Sequence, residues 1–476
     1  MTACGGQPNG PASGTTGEYD AMIGKTIAYA GFRAHALYEK SGIPAELGSL
    51  ERSQWLDPEA IAELQNRRLR ALLDHIKRHN PHYGRFWAEH GADPDTVRTT
   101  ADLVKLPVLT REHIQHHWRD MISSSPPENE IILDHTGGSS GKPLRFAMDR
   151  RRYFSRMASA YRHDRWSGWD FGVRTAYIWG HPAAFRVQPS WRTRLRRRLF
   201  EPYIGLDSSN ITVESMLGFH ATLTRYRPRV LVAYANSIYM FARFLQERRL
   251  PPLPPLAGII TSAEVLGDEK RRVIEACFGA PVFDRYGSRE TSVIASECEA
   301  RQGMHVCSEH LVVEIQKGGA PAQPGEYGHF LVTDLSNLGL PLIRYRNEDL
   351  GLPVQGACPC GRGLARIGMA AGRQTDFLVT PEGQLISGVA LATYLTGHAP
   401  GIVQAQIVQE VPQELVLRLV AGEGYGPRTE EFFAQQIPKF VSDRMTWRIE
   451  LVERIDPLPS GKHAYCISKV DPASVF

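Results

Sequence analysis

The stretch His135-Thr136-Gly137-Gly138-Ser139-Ser140-Gly141-Lys142-Pro143 decides how this chain is read. It follows the apolar run Ile131-Ile132-Leu133 and precedes Arg145-Phe146-Ala147-Met148, so the pattern predicts strand, loop, strand. Three glycines, three hydroxyls and one lysine fall between Thr136 and Lys142. Glycine admits backbone conformations in which several N–H groups converge on one anion. The hydroxyls add donors and the lysine adds a point charge. That is the chemistry of a polyphosphate cradle. It is not the P-loop of the nucleoside triphosphatases, which needs G-x-x-x-x-G-K followed by Ser or Thr. Here three residues separate Gly137 from Gly141, and a proline follows the lysine. A flexible Gly/Ser surface loop is the bland alternative.

The chain has 476 residues, too many for one ordinary core, which favours two or three domains. Hydrophobic content of 42% and charged content of 22% fit a soluble globular protein. A net charge of +4 is too small to argue for nucleic acid, and no apolar run reaches membrane-spanning length. Residues 1–18 are polar and Gly-rich and read as a disordered lead, without the basic-then-apolar order of a signal peptide. Seven cysteines in such a chain point to reduced thiols in a cytoplasm.

Residues 19–125 read as a mostly helical start. Pro58 stands at a helix-start position, and Ile61, Leu64, Leu69, Leu72, Leu73 and Ile76 keep a helical spacing. Thr110 reads as the N-cap of another short helix. His75, His79, His82, His90, His113, His116 and His117 crowd this region, follow no metal-ligand spacing and read as solvated faces. A helix over 150–168 and a strand over 175–181 follow. The basic run 192–198 reads as a solvated helix face or as an attractor of a phosphate-rich cosubstrate. From 210 to 300 helices alternate with strands, among them Val230-Leu231-Val232-Ala233-Tyr234. From 309 to 354 the pattern turns to period-2 strands.

At this point the motifs carry a resemblance. The Gly/Ser/Lys stretch resembles the phosphate loop of the adenylate-forming enzymes: acyl-CoA ligases, peptide-synthetase adenylation domains and luciferases. Ser262-Ala263-Glu264 is similar to their adenine-contacting turn, and Tyr286-Gly287-Ser288-Arg289-Glu290 resembles Tyr-Gly-x-x-Glu. Arg344-Tyr345-Arg346-Asn347-Glu348-Asp349 resembles Arg-Tyr-Arg-Thr-Gly-Asp, and Gly372-Arg373-Gln374-Thr375-Asp376 resembles Gly-Arg-x-Asp-Asp. Pro459-Ser460-Gly461-Lys462 resembles the C-terminal Gly-Lys motif. Six motifs in order cover residues 131–465. The phenylacetate–CoA ligase and CapK-like branch is marked by Pro341-Leu342-Ile343-Arg344, by Cys358-Pro359-Cys360-Gly361-Arg362 and by the helical lead.

The resemblance implies an α/β fold. A large N-terminal ATP- and acid-binding domain of several subdomains (19–371) precedes a hinge (372–376) and a small mobile α+β lid (377–476). It implies ATP-dependent, AMP-forming activation of an aromatic or small carboxylic acid as acyl adenylate. Catalysis of this kind is mostly positioning and electrostatics. Lys142 with Thr136, Gly137, Gly138, Ser139, Ser140 and Gly141 would hold the β/γ-phosphates. Glu290 would hold Mg²⁺ and Asp349 the ribose hydroxyls. Arg373 would lie near the ribose or hinge. Lys462 would reach the α-phosphate and the substrate carboxylate from the lid. Ser262, Ala263, Glu264, Asp284, Arg285, Tyr286, Gly287 and Ser288 complete the expected nucleotide site. Strand-end positions make Trp179, His181, Tyr234, Ala235 and Asn236 the candidates for the acid pocket, although core packing explains the aromatics too.

Coenzyme A is the expected acceptor. The alternative is an amine or hydroxyl, as in natural-product or polysaccharide assembly. A non-catalytic nucleotide-binding relative would not need both Lys142 and Lys462. No nucleic-acid or membrane partner is expected, and the chain reads as a monomer or a homodimer. Cys298, His305, Cys358 and Cys360 suit a structural tetrahedral Zn²⁺, with Cys307 a competing ligand. The sequence also departs from the family: Asn347-Glu348 stands where Thr-Gly is usual, and either Thr375 or Asp376 is the hinge residue.

Overall fold

The structure is a computed structural model. It describes residues 15–135, 144–180, 200–208, 211–264, 266–371, 377–382, 385–388, 391–392, 395, 398–455 and 466–470. The chain opens with helices α1 (Thr15–Tyr38), α2 (Ile43–Ser53), α3 (Pro58–His79), α4 (Pro81–Glu89) and α5 (Arg111–His117). Asp57 starts α3 by accepting the Ala60 N–H at 2.7 Å, with Pro58 as the first helical residue. Leu69, Leu72, Leu73 and Ile76 form the apolar stripe of α3. They pack with Tyr83 and Trp87 of α4 and with Leu340, Leu342 and Ile343 from far along the chain. The Tyr83 hydroxyl donates to the Pro341 carbonyl at 2.8 Å, which locks that contact. Two histidines expected on solvated faces, His75 and His82, are instead buried against this core.

A hairpin follows, β1 (Ile131–His135) with β2 (Arg145–Asp149), His135 standing opposite Arg145. Helix α6 (Arg150–Trp166) begins at once. Asp149 caps it by accepting the Arg152 N–H at 2.8 Å, and its other oxygen accepts the Leu338 N–H at 2.7 Å. One buried carboxylate thus ties the hairpin to the helix and to a distant loop.

The parallel part of the main sheet contains β3 (Thr175–Trp179), β4 (Tyr203–Asp207), β5 (Val230–Tyr234), β6 (Gly258–Ser262) and β7 (Val282–Ser288). Between them run α7 (Val213–Tyr226), α8 (Ala235–Glu247) and α9 (Asp268–Phe278). β5 is buried along Val230–Ala233, as a strand covered on both faces requires. The antiparallel part adds β8 (Ser292–Glu297), β9 (Met304–Val306), β10 (Leu311–Lys317), β11 (Ala320–Pro321), β12 (Gly328–Asp334), β13 (Tyr345–Val354) and β14 (Arg366–Ala371). Among the described residues the order across the sheet is β11-β10-β12-β13-β14-β9-β8-β7-β6-β5-β3-β4. The direction changes at β7–β8, so the two halves meet at the Tyr286-Gly287 strand.

The C-terminal segment has its own core. A small hairpin, β15 (Phe377–Val379) with β16 (Leu385–Ser387), precedes β17 (Ile402–Val411), β18 (Glu414–Ala421), α10 (Pro427–Phe440), β19 (Thr446–Leu451) and β20 (Cys466–Ser468). The last four strands form one sheet, β19-β18-β17-β20. Phe433 and Ile437 of α10 are buried with Ile407, Leu415, Leu417 and Leu419 beneath them. Val379 packs instead into the core formed by α7–α9, where this segment meets the large sheet. The expected hinge, 372–376, lies outside the described residues. No helix among the described residues is long and apolar enough to cross a membrane.

Candidate active site

Parallel pairing aligns the ends of several strands. Ala233 stands opposite Ile178, Tyr234 opposite Ser262, and Ser262 opposite Arg285. Trp179 and Tyr234 therefore share one rim, their ring centroids 4.2 Å apart. Burial, and then the charge of Glu264, pushes the Tyr234 hydroxyl well above its usual range. The Glu264 carboxylate accepts the Asn236 N–H at 2.7 Å and so caps the first turn of α8. Lys270 donates to the Asn236 side-chain oxygen. Ala263, just before Glu264, sits at φ +69°, in the left-handed region that a non-glycine residue seldom enters.

Glu290 lies in the tight turn between β7 and β8. That turn needs Gly287, because a Cβ there would fall 2.3 Å from the Ser292 carbonyl oxygen. The Ser288 and Thr291 hydroxyls, 2.9 Å apart, brace it. Glu290 is buried, accepts the Tyr345 hydroxyl at 3.1 Å and faces the Arg111 guanidinium at 3.9 Å. Three further contacts hold the turn. Arg152 donates to the Thr291 carbonyl at 2.7 Å, Arg156 donates to the Arg289 carbonyl at 3.3 Å, and Arg289 pairs with Asp134 at 3.3 Å. Asp134 is the penultimate residue of β1, from whose end the Gly/Ser/Lys stretch departs. The acidic turn and the root of that stretch are therefore neighbours.

A second chain of contacts runs beside the first. The Tyr286 hydroxyl donates to Asp349 at 2.8 Å and accepts from the Asn347 amide at 2.6 Å. Burial and the adjacent Asp349 charge push the Tyr286 hydroxyl well above its usual range, so it is a neutral donor. Asn347, a departure from the family pattern, thus orients Tyr286 and also accepts the Asp349 N–H at 3.2 Å. Arg344 precedes them at φ +50°, with its guanidinium on Glu314 and on the Leu106 carbonyl. It fastens the helical lead to the sheet.

Two expected nucleotide residues are engaged elsewhere. Arg285 alternates to the other face from Tyr286 and pairs with Asp164 of α6 at 2.6 Å. Asp284 accepts the Thr261 hydroxyl at 2.9 Å beside Glu297. Burial, and then the Glu297 charge, raises its carboxyl to about 6. Arg111 is absent from the sequence reading. It is the first residue of α5, placed by the pairing of Leu109 with Tyr345, and a lone arginine after an N-cap carries no pattern of its own. Thr136, Gly137, Gly138, Ser139, Ser140, Gly141, Lys142, His181, Arg373 and Lys462 lie outside the described residues.

The cysteine and histidine set is brought together from three segments. The ligand atoms of Cys298, His305, Cys358 and Cys360 all lie within 4.8 Å of one another. Cys298 Sγ is 3.6 Å from Cys358 Sγ, and Cys360 Sγ is 3.3 Å from His305 Nε2. His305 Nδ1 is 3.2 Å from the Leu364 carbonyl, a partner that leaves Nε2 as the ligand atom. Burial lowers His305 to about 4, so the ring is neutral at pH 7. Cys307 is not in the set: its Sγ lies 3.1 Å from the Ser159 hydroxyl and 3.6 Å from Arg162.

The family profile described as CapK C-terminal domain matches residues 378–469. Protein CapK of Staphylococcus aureus is 22% identical over 430 residues, 86% of this chain and 90% of its own. The phenylacetate-coenzyme A ligase of Pseudomonas putida is 26% identical over 348 residues, covering 70% of this chain and 75% of its own. Among solved structures, 2-hydroxyisobutyryl-CoA ligase with 2-HIB-AMP and CoA in its thioesterification state superposes with a TM-score of 0.58 at 18% identity. That superposition covers 88% of this chain and 91% of that one, and establishes the shared fold.

Proposed function

We propose that this chain, similar to protein CapK and to phenylacetate-coenzyme A ligases, is an adenylate-forming enzyme that joins a carboxylic acid to AMP with consumption of ATP and then passes the acyl group to coenzyme A. The observation that carries the reading is the meeting of the Glu290 turn with the end of β1 through Arg289 and Asp134. It sets the turn that carries Glu290 beside the end of β1, which the Lys142 stretch follows in sequence. The Tyr286–Asp349 pair flanks it, with a carboxylate suited to two ribose hydroxyls.

In this reading the acid binds at the rim of Trp179, Tyr234, Ala235 and Asn236, and His181 is a further candidate to contact it. Lys142 and the preceding glycines and hydroxyls neutralise the β/γ-phosphates. Lys462 neutralises charge that develops between the substrate carboxylate and the α-phosphorus, and Arg373 serves near the ribose. The fit of Glu290 to Mg²⁺ is supported by its second oxygen, Oε2, which makes no hydrogen bond with a described residue. When bound, Mg²⁺ would offset the charge of the phosphates. Tyr345 and Arg111 hold Glu290 in place.

The Cys298, His305, Cys358 and Cys360 donors fit Zn²⁺ in a closed structural site, pinning the segment after β8 to the approach to β14. Desalted protein is expected to retain about one zinc per chain, and Cys358→Ser should lower both zinc content and melting temperature. Protein without zinc whose melting temperature ignores that substitution would remove the metal.

The acceptor is tested by product mass. With ATP, Mg²⁺ and an accepted acid, adding coenzyme A should consume thiol and yield the acyl-CoA mass. An acyl adenylate that persists with coenzyme A but is consumed by an amine or hydroxyl would replace this acceptor.

A further inference from the structure

Helices α4 and α5 bring imidazoles together outside the site described above. His82 is at the start of α4 and 7% exposed. His117 is the last residue of α5, and Asp120 lies in the turn that follows. The ligand atoms of these three residues lie within 4.8 Å of one another. His113 stands one helical turn before His117, with ring centroids 4.8 Å apart, and its Nε2 is 2.9 Å from His82 Nε2. That contact shares one N–H between two imidazoles and fixes the His82 ring, leaving His82 one further ring nitrogen. Neither the Asp120 carboxylate nor the His117 ring makes a hydrogen bond or ion pair with a described residue. The spacing escapes a linear reading because His82 and His117 are 35 positions apart and meet only when α4 packs on α5.

We propose that His82, His117 and Asp120 form a second, solvent-open metal site that takes a borderline divalent transition ion. Two imidazoles and one carboxylate suit Zn²⁺, Co²⁺, Ni²⁺ or Cu²⁺, whereas Mg²⁺ and Ca²⁺ favour all-oxygen shells. Water fills the remaining positions on the exposed side. His113 acts on the ion through His82, as hydrogen-bonded partners of metal ligands do. The ion cross-links the start of α4 to the turn after α5. It thereby steadies α5, whose first residue is the Arg111 that faces Glu290.

The test uses untagged, full-length, zinc-loaded protein, desalted and titrated calorimetrically with Ni²⁺. One equivalent is expected to bind with micromolar affinity. His117→Ala and Asp120→Asn are each expected to weaken it about tenfold or more. Both side chains are exposed, so the circular dichroism spectrum should stay unchanged. Absence of saturable binding to the wild type would overturn the proposal. So would equal affinity in both variants, which places the ion elsewhere, or loss in His117→Ala alone, which removes the carboxylate from the site.

Discussion

Asp284 sits between a hydroxyl donor and a second carboxylate, and its buried carboxyl is raised from an ordinary 3.8 to about 6. Folding therefore disfavours the ionised form. The penalty is absent below about pH 4, where both states are protonated, and complete above about pH 6. The gap between 3.8 and about 6 corresponds to at most about 3 kcal/mol. Asp284→Asn keeps an acceptor for Thr261 and removes the charge. It should raise the melting temperature at pH 7.5, and the gain should shrink as pH falls from 6 to 4. An equal gain at pH 4.5 and 7.5 would refute the assignment. At this scale the sequence makes some contacts legible and hides others. Glu290, Tyr286 and Asp349 stand in motifs whose spacing is visible, and they come together. Arg285, just before the Tyr286–Glu290 motif, turns to α6 because side chains alternate along a strand. Glu264 caps α8, and nothing in an Ala-Glu dipeptide reveals the helix it will meet.

The turn between β7 and β8 is the element on which the site depends. A Cβ on Gly287 would stand 2.3 Å from a backbone oxygen that cannot swing aside, unlike the end of a flexible side chain. Gly287→Ala should cost about 1–3 kcal/mol through overpacking. Because the strain lies beside Glu290, Mg²⁺-dependent adenylation should fall with it. Chemical denaturation at wild-type midpoint would contradict the packing argument. Strand and helix positions follow from local pattern: the apolar stripe of α3, the buried run of β5 and the strands flanking the Gly/Ser/Lys stretch all appear where expected. His75 and His82 do not, because their burial depends on contacts distant in sequence, while His90, His116 and His117 are exposed as expected. His82 meets His113 and His117 only through the packing of α4 on α5, a contact no local period encodes.

For the whole molecule, the order of motifs along the chain anticipates a large sheet followed by a small α+β unit with its own core. The order of strands across the sheet is not anticipated, nor is the junction at β7–β8 where parallel gives way to antiparallel. Non-local pairings set that order, and a linear sequence states them only through motifs whose partners are already known. The same limit applies to the acid. Trp179 and Tyr234 define a rim without naming what fills it. The reaction itself is open to one direct measurement, acid-dependent exchange of pyrophosphate into ATP across a panel of carboxylic acids. Wild-type protein should exchange with at least one acid and require Mg²⁺. Lys462→Ala should lose about a hundredfold or more, roughly 3 kcal/mol of transition-state stabilisation, while still binding ATP. Folded wild-type protein that exchanges with no acid, or a Lys462→Ala variant that exchanges at the wild-type rate, would contradict acid adenylation by this chain.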